Sequence, residues 1–202
     1  ALFRPELEKI LDLRKQAASI LMDVKKTKTP YDALIDIFEP KMTAEQIAEV
    51  FTELRSGLIK VIDKCVSSPS QPDESILKRK VPISQQQEIS KSLAKFIEYD
   101  VESKSAGGRI DETEHPFTTG YYDDVRITTH YFEDRPASSI FSVLHECGHA
   151  IYEQALHHDW LYQPIGVSAG YGFHESQSRF VENILGRSRE FWTYFFPGLK
   201  SL

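Results

Sequence analysis

The sequence predicts a mainly α fold with a small β element ahead of one well-defined helix, and three observations carry that expectation. Apolar residues recur at three- and four-residue spacing through most of the chain. Residues 107–136 change to Gly, Thr, Tyr and alternation, and a helix-start signature at Thr43 opens a long helical stretch.

Taken in order, residues 5–26 place Leu7, Ile10, Leu11, Leu13 and Ala17 at helical spacing, and a shorter helical stretch follows at 31–38. Thr43 then caps a helix reaching about Cys65. Gln46 stands at the reciprocal position of a capping box, and Ile47, Val50, Phe51, Leu54, Leu58 and Val61 form the apolar face. Residues 66–73, with Ser67-Ser68-Pro69-Ser70-Gln71-Pro72, read as a loop and as the best place for a break. Another helix runs from Ser84 to about Tyr99. Val125-Arg126-Ile127-Thr128-Thr129-His130-Tyr131 alternates as a half-buried strand should. Residues 136–156 return to helical periodicity, with Phe141, Leu144, Gly148, Ile151 and Ala155 as the apolar stripe. Residues 171–185 form a last helix whose buried side is Phe173, Phe180, Val181, Ile184 and Leu185, with Gly186 as its stop.

Bulk properties exclude several classes. With 202 residues and 41% apolar content the chain can build one substantial core. A net charge of −6 without a Lys/Arg cluster argues against nucleic acid or an anionic membrane as partner. No apolar run approaches the length of a membrane span, and Ala1-Leu2-Phe3-Arg4-Pro5-Glu6 lacks a signal pattern. Two distant cysteines suit a reducing, cytoplasmic setting, and Cys147 reads as a small buried side chain.

The chemistry concentrates in His145-Glu146-Cys147-Gly148-His149, an H-E-x-x-H. Histidines at i and i+4 share one helix face, about 100° from the centre of the apolar stripe, so both imidazoles can reach one ion. Glu175, on the following helix, is the best third ligand. A fourth position would hold a water acidified by the metal, with Glu146 beside it to take the proton. Rival ligands are weaker. Glu153 lies too far along the axis from His145 for the three to meet at one ion, Glu182 could act only in an outer role, and His157 and His158 follow in a loop. The ligand set suits zinc best, and cobalt or manganese could also occupy it. Residues 1–106 thus read as a helical region and 107–202 as a metal-binding core, together one domain.

The strings HECGHAIYEQAL and GYGFHESQSRFVENILGRSREFW resemble the carboxypeptidase Taq family of metallocarboxypeptidases. The likeness extends to His115-Pro116-Phe117, matching the family's H-P-F, and to Asp124-Val125-Arg126-Ile127-Thr128, matching D-x-R-x-T. It continues upstream through Tyr31-Asp32-Ala33-Leu34 and Phe38-Glu39-Pro40-Lys41-Met42-Thr43. The resemblance implies a helical metallopeptidase that removes single residues from peptides with a free C-terminus. It places His145, His149 and Glu175 on the metal and makes Glu146 the general base. The family's chains are more than twice this length, so the resemblance implies either a portion of a longer enzyme or a naturally short relative. The family's later G-x-x-Q-D-x-H-W and arginine-containing motifs are not in this sequence, so the group that binds the substrate carboxylate is unassigned.

Around the metal, Asp124 is the candidate to accept the spare N–H of a ligand histidine, and Arg126 to tie a local carboxylate. His115 could hydrogen-bond a developing oxyanion or position substrate; His174 and Gln177 flank Glu175 as outer groups. Two other readings stay open: a non-catalytic helical metal-binding module, and an aminopeptidase or endopeptidase with the same ligands and base. A homodimer is a candidate assembly.

Overall fold

The structure, a computed structural model, describes residues 2–201. It divides into two compact units, Ala1–Gln71 and Pro72–Leu202, with the division inside the Ser/Pro-rich loop.

The first unit holds α1 (Arg4–Lys25), α2 (Pro30–Phe38) and α3 (Ala44–Val66). Both Thr-led helix starts are capping boxes: Thr29 exchanges hydrogen bonds with Asp32, and Thr43 with Gln46. The nearly buried Asp32 carboxylate accepts the Thr29 N–H at 3.1 Å and also the Ala44 N–H at 2.8 Å, so one side chain satisfies orphan donors at the starts of two helices. The apolar faces expected on α1 and α3 are present but largely uncovered. Leu7, Ile10, Leu11, Leu13, Val50, Phe51, Leu54, Leu58 and Val61 are exposed, and Ala18 rather than Ala17 is buried on α1. Within this unit α2 is too short to cover them, nine residues against the 23 of α3.

The second unit begins with a 3-10 turn, Glu74–Lys78, followed by α4 (Ile83–Phe96). Although α4 falls in the first region of the sequence division, it packs on α5 (Pro136–Gln154) and belongs to this unit. Gln86 makes the connection polar as well as apolar. Its amide nitrogen donates to the Val81 and Phe132 carbonyls while its oxygen accepts from Ser139 at the start of α5.

Between α4 and α5 lie β1 (Gly108–Glu112), β2 (Thr118–Tyr121) and β3 (Asp124–Thr129), in the order β1-β3-β2. β3 is parallel to β1, with Gly108 opposite Val125, and antiparallel to β2, with Tyr121 opposite Asp124. The strand expected at the centre is present, but regular pairing stops at Thr129 and its alternation is only partial: Val125 and Ile127 are buried on either side of the half-buried Arg126, whereas Thr128 and Thr129 are buried in succession. Val125 and Ile127 face α5 within a core completed by Leu93, Tyr99, Val143, Leu144, Cys147, Ala150, Val181 and Phe191. The Tyr99 hydroxyl donates to Val125 O and accepts from Arg109 N, so a buried phenol bridges β1 and β3.

After α5 come two short 3-10 turns, His158–Trp160 and Pro164–Gly166, and then α6 (Tyr171–Arg179). The single helix expected over residues 171–185 is instead α6 continued by a π-helical turn, Phe180–Leu185, closed by a five-residue bond from Gly186 N to Val181 O at 2.8 Å. Its expected buried side is also only partly buried. Val181 and Leu185 join the core, whereas Phe173, Phe180 and Ile184 are exposed. Gly186 does end the segment, at an ordinary φ of −67°. A Cβ there would lie 2.6 Å from Leu144 Cδ1, so close packing, not a left-handed turn, favours glycine. The final α7 (Arg189–Leu199), not anticipated from periodicity, is capped by Ser188 and buries Phe191 between Phe96 and Phe195.

Candidate metal centre

α5 and α6 pack face to face, and the contact depends on Gly148 inside H-E-x-x-H. A Cβ there would stand 2.6 Å from Ser178 Cα and 2.7 Å from the Gln177 carbonyl oxygen, closer than backbone atoms tolerate. This near approach brings Glu175 over the two histidines of α5. Glu175 Oε2 lies 3.4 Å from His149 Nε2 and 3.6 Å from His145 Nε2. Donors each about 2 Å from a tetrahedral ion are roughly 3.3 Å apart, so two imidazoles and one carboxylate fit a zinc-like centre in number, chemistry and spacing. Among the described residues these three form the cluster of His, Cys, Asp and Glu groups that could hold a metal ion.

Each of the three is held from behind. Arg179, at i+4, donates to Glu175 Oε1 at 2.7 Å, which leaves Oε2 turned toward the histidines, with Ser178 Oγ donating to it at 3.1 Å. Burial alone would raise the Glu175 carboxyl, but the Arg179 hydrogen bond, His145 and Ser178 outweigh it and hold the acid below its usual range. His145 Nδ1 lies 2.9 Å from Glu182 Oε2. Arg187 in turn grips Glu182 Oε1 at 2.6 Å while lying over the Phe141 ring. Burial pushes the Glu182 carboxyl up, and the bonds from Arg187 and His145 bring it below normal, so an anion faces His145. His149 is pushed down to about 4, first by burial and then by its imidazole neighbours His174 and His145, and is therefore neutral near pH 7.

Glu146 lines the same cleft as the two histidines, a space of about 760 Å³ bounded also by His115, Phe117, Thr118, Phe141, Tyr171 and Glu175. Only 6% of its surface is exposed, and burial raises its carboxyl despite a 2.6 Å hydrogen bond from Thr118 Oγ1 and the nearby His145. Cys147 is fully buried in the core, its thiol pushed up by burial, and faces away from the ligand set.

The outer candidates divide. His115 reaches the cleft from the β1–β2 loop, and His174 contacts His149, at 2.6 Å between their Nδ1 atoms. Asp124 does not reach either ligand histidine. Its carboxylate is exposed and held by Arg126 in a bidentate pair at 2.7 and 2.8 Å, so the carboxylate behind His145 is Glu182 instead. Arg126 is the local tie expected of it. Gln177 does not line the cleft; its main-chain carbonyl faces Gly148. The two upstream motifs meet through Thr128, whose hydroxyl accepts from Phe117 N at 2.8 Å while its N–H donates to Phe117 O. Thr118 and Arg179 were not singled out from sequence. Arg179 carried a signal, the i+4 spacing from Glu175; Thr118 carried none beyond its place after His115-Pro116-Phe117.

An H-E-x-x-H helix whose histidines meet a carboxylate from the next helix is the pattern of a metallopeptidase site. A family profile described as carboxypeptidase Taq (M32) metallopeptidase matches residues 1–202, and the chain belongs to that family. It is 41% identical over 202 residues to thermostable carboxypeptidase 1 of Thermus thermophilus, covering 96% of this chain and 39% of that protein. It is 38% identical to carboxypeptidase 1 of Bacillus subtilis, covering 99% and 39%. Its fold is similar to the crystal structure of an M32 carboxypeptidase from Deinococcus radiodurans, with a TM-score of 0.83, 38% identity, and coverage of 98% and 38%. The chain thus spans about two-fifths of the length of the relatives it matches. Among the described residues no helix is long and apolar enough to cross a membrane.

Proposed function

We propose that this chain carries the catalytic centre of a metal-dependent carboxypeptidase, with one divalent ion, zinc by preference, on His145, His149 and Glu175, and Glu146 as general base. The convergence of His145 Nε2, His149 Nε2 and Glu175 Oε2 beside an open cleft carries this reading. A divalent ion held there supplies Lewis-acid chemistry, polarising a scissile carbonyl and lowering the pKa of a water from about 15.7 to about 7.

The chain's own groups supply the rest. Thr118 occupies Glu146 Oε2, which leaves Oε1 to take the proton of the attacking water and return it to the leaving amine. Burial raises the Glu146 carboxyl above its ordinary value, which makes it a stronger proton acceptor. His115 stands at the cleft margin where it can donate to the carbonyl oxygen as negative charge develops. Phe117, Phe141 and Tyr171 offer apolar walls that exclude water beside the reacting bond.

Peptides with a free C-terminus are the proposed substrates, by similarity to relatives named carboxypeptidases. An aminopeptidase or endopeptidase would share metal and base and differ in the terminus it binds. The two free cysteines support a reducing, cytoplasmic setting, and the uncovered helical faces of α1 and α3 support a homodimer. The test combines metal analysis with cleavage of a peptide and its C-amidated analogue. Zinc-dependent release of the terminal residue from the free acid alone supports the proposal, and equal cleavage of the amide rejects it. Glu146→Gln should retain zinc and lose the hydrolysis.

A further inference from the structure

His174 precedes Glu175 and so arrives at the centre on the same turn of α6, yet no step above uses it. Its Nδ1 lies 2.6 Å from His149 Nδ1, and its Nε2 lies 2.8 Å from Glu153 Oε1. Both outer members are sheltered, with side chains only 19% and 16% exposed. Two ring nitrogens at hydrogen-bond distance must hold one proton between them, with one donor and one acceptor.

The direction of that bond follows from the geometry. His149 Nε2 faces Glu175 Oε2, so binding an ion there requires Nε2 to be unprotonated. A neutral ring then keeps its proton on Nδ1 and donates it to His174. His174 accepts on Nδ1, which places its own proton on Nε2, where the Glu153 carboxylate accepts it. Tyr152 packs edge-on against the His174 ring at 5.2 Å and limits its rotation.

We propose that Glu153 and His174 form a carboxylate–imidazole relay that fixes the tautomer and ring orientation of His149, as positioning residues of the metal centre. The inference rests on the metal reading above. It makes the two ligand histidines unequal. His145 is oriented directly by a carboxylate, Glu182, whereas His149 is oriented through a second imidazole. It also gives the docking of α6 two effects at once, because adjacent residues deliver the third ligand and the acceptor that locks the second.

The test uses the 202-residue chain, zinc affinity by competition with a chromophoric chelator, and side-chain ¹⁵N shifts that report imidazole tautomers. In the zinc-loaded protein His149 should carry its proton on Nδ1 and His174 on Nε2. His174→Phe keeps an aromatic ring and removes the acceptor; it should weaken zinc binding about 10- to 100-fold. His174→Asn, whose Oδ1 can stand where Nδ1 stood, should recover part of that loss. Glu153→Gln should weaken binding and leave His174 in mixed tautomers, and it provides an independent test should the His174 variants misfold. His149→Ala separates the two ideas. If it binds zinc like the unaltered chain, the metal reading fails and the relay falls with it. If it loses zinc while His174→Phe and Glu153→Gln do not, the relay alone is wrong.

Discussion

Thr118 Oγ1 donates to Glu146 Oε2 at 2.6 Å, across the junction between β2 and α5. The hydrogen bond favours the ionised carboxylate, while burial opposes it and is the larger influence. Removing the hydroxyl should therefore raise the Glu146 pKa further. A base is competent only when deprotonated, so the acidic limb of the kcat/KM profile should move to higher pH in Thr118→Val and return in Thr118→Ser. An unmoved limb in the valine variant, at equal metal content, would detach Thr118 from the base.

Glu182 accepts from His145 Nδ1 at 2.9 Å and is itself held by Arg187. Outer partners of this kind set ring orientation and ligand basicity. Glu182→Ala should weaken zinc binding about 10- to 100-fold, with Arg187→Ala causing a smaller loss through the freed carboxylate. Chelator competition measures both. Equal affinities in all three proteins would show that His145 needs no external orientation.

The distance between what the sequence disclosed and what it hid follows from the range of each interaction. Glu146, His145 and His149 were legible because i, i+4 spacing on one helix fixes a shared face. Capping boxes at Thr43 and, in the fold, Thr29 depend on residues three apart and are equally local. Asp124 was misplaced because its nearest cation, Arg126, sits two residues away on the same exposed strand face and takes the whole carboxylate. The exposed Phe173, Phe180 and Ile184 reflect another limit, since periodicity identifies an apolar face without identifying what covers it. The π turn escaped for a different reason. It shifts the register after Arg179, and the shift depends on packing against α5 rather than on local propensity.

Gly148 sits where α5 and α6 nearly touch, and its two obstructing neighbours are backbone atoms of Gln177 and Ser178, which cannot rotate aside. Gly148→Ala should gain helix propensity in α5 and still destabilise the protein, because overpacking costs about 1–3 kcal/mol against roughly 1 kcal/mol gained. Moving α6 also carries Glu175 and His174 away from the α5 histidines, so zinc affinity should fall by more than stability does. Thermal unfolding with and without zinc separates these effects. A variant more stable than the parent, with unchanged zinc affinity, would mean that α6 can shift without disturbing the centre.

The metal-free protein should lose stability on acidification through His149. Its pKa falls from an ordinary value near 6.5 to about 4 in the fold, chiefly through burial and next through His174 and His145. A depressed histidine contributes stability that is complete above the unfolded pKa and declines as pH falls toward the folded one. Below about pH 6.5 the unfolded chain takes up a proton that the folded chain refuses until about pH 4, a difference of roughly 3 kcal/mol across that window. Glu146 has the opposite sign. Its raised carboxyl contributes stability that is present below the unfolded value and lost as pH rises through the folded one, so the comparison belongs in the Glu146→Gln background. Urea unfolding of chelated protein between pH 7 and pH 4, with and without His149→Phe, reads the difference. The histidine protein should show the steeper loss of stability, and parallel slopes would show that His149 accepts its proton as readily in the fold as in the unfolded chain.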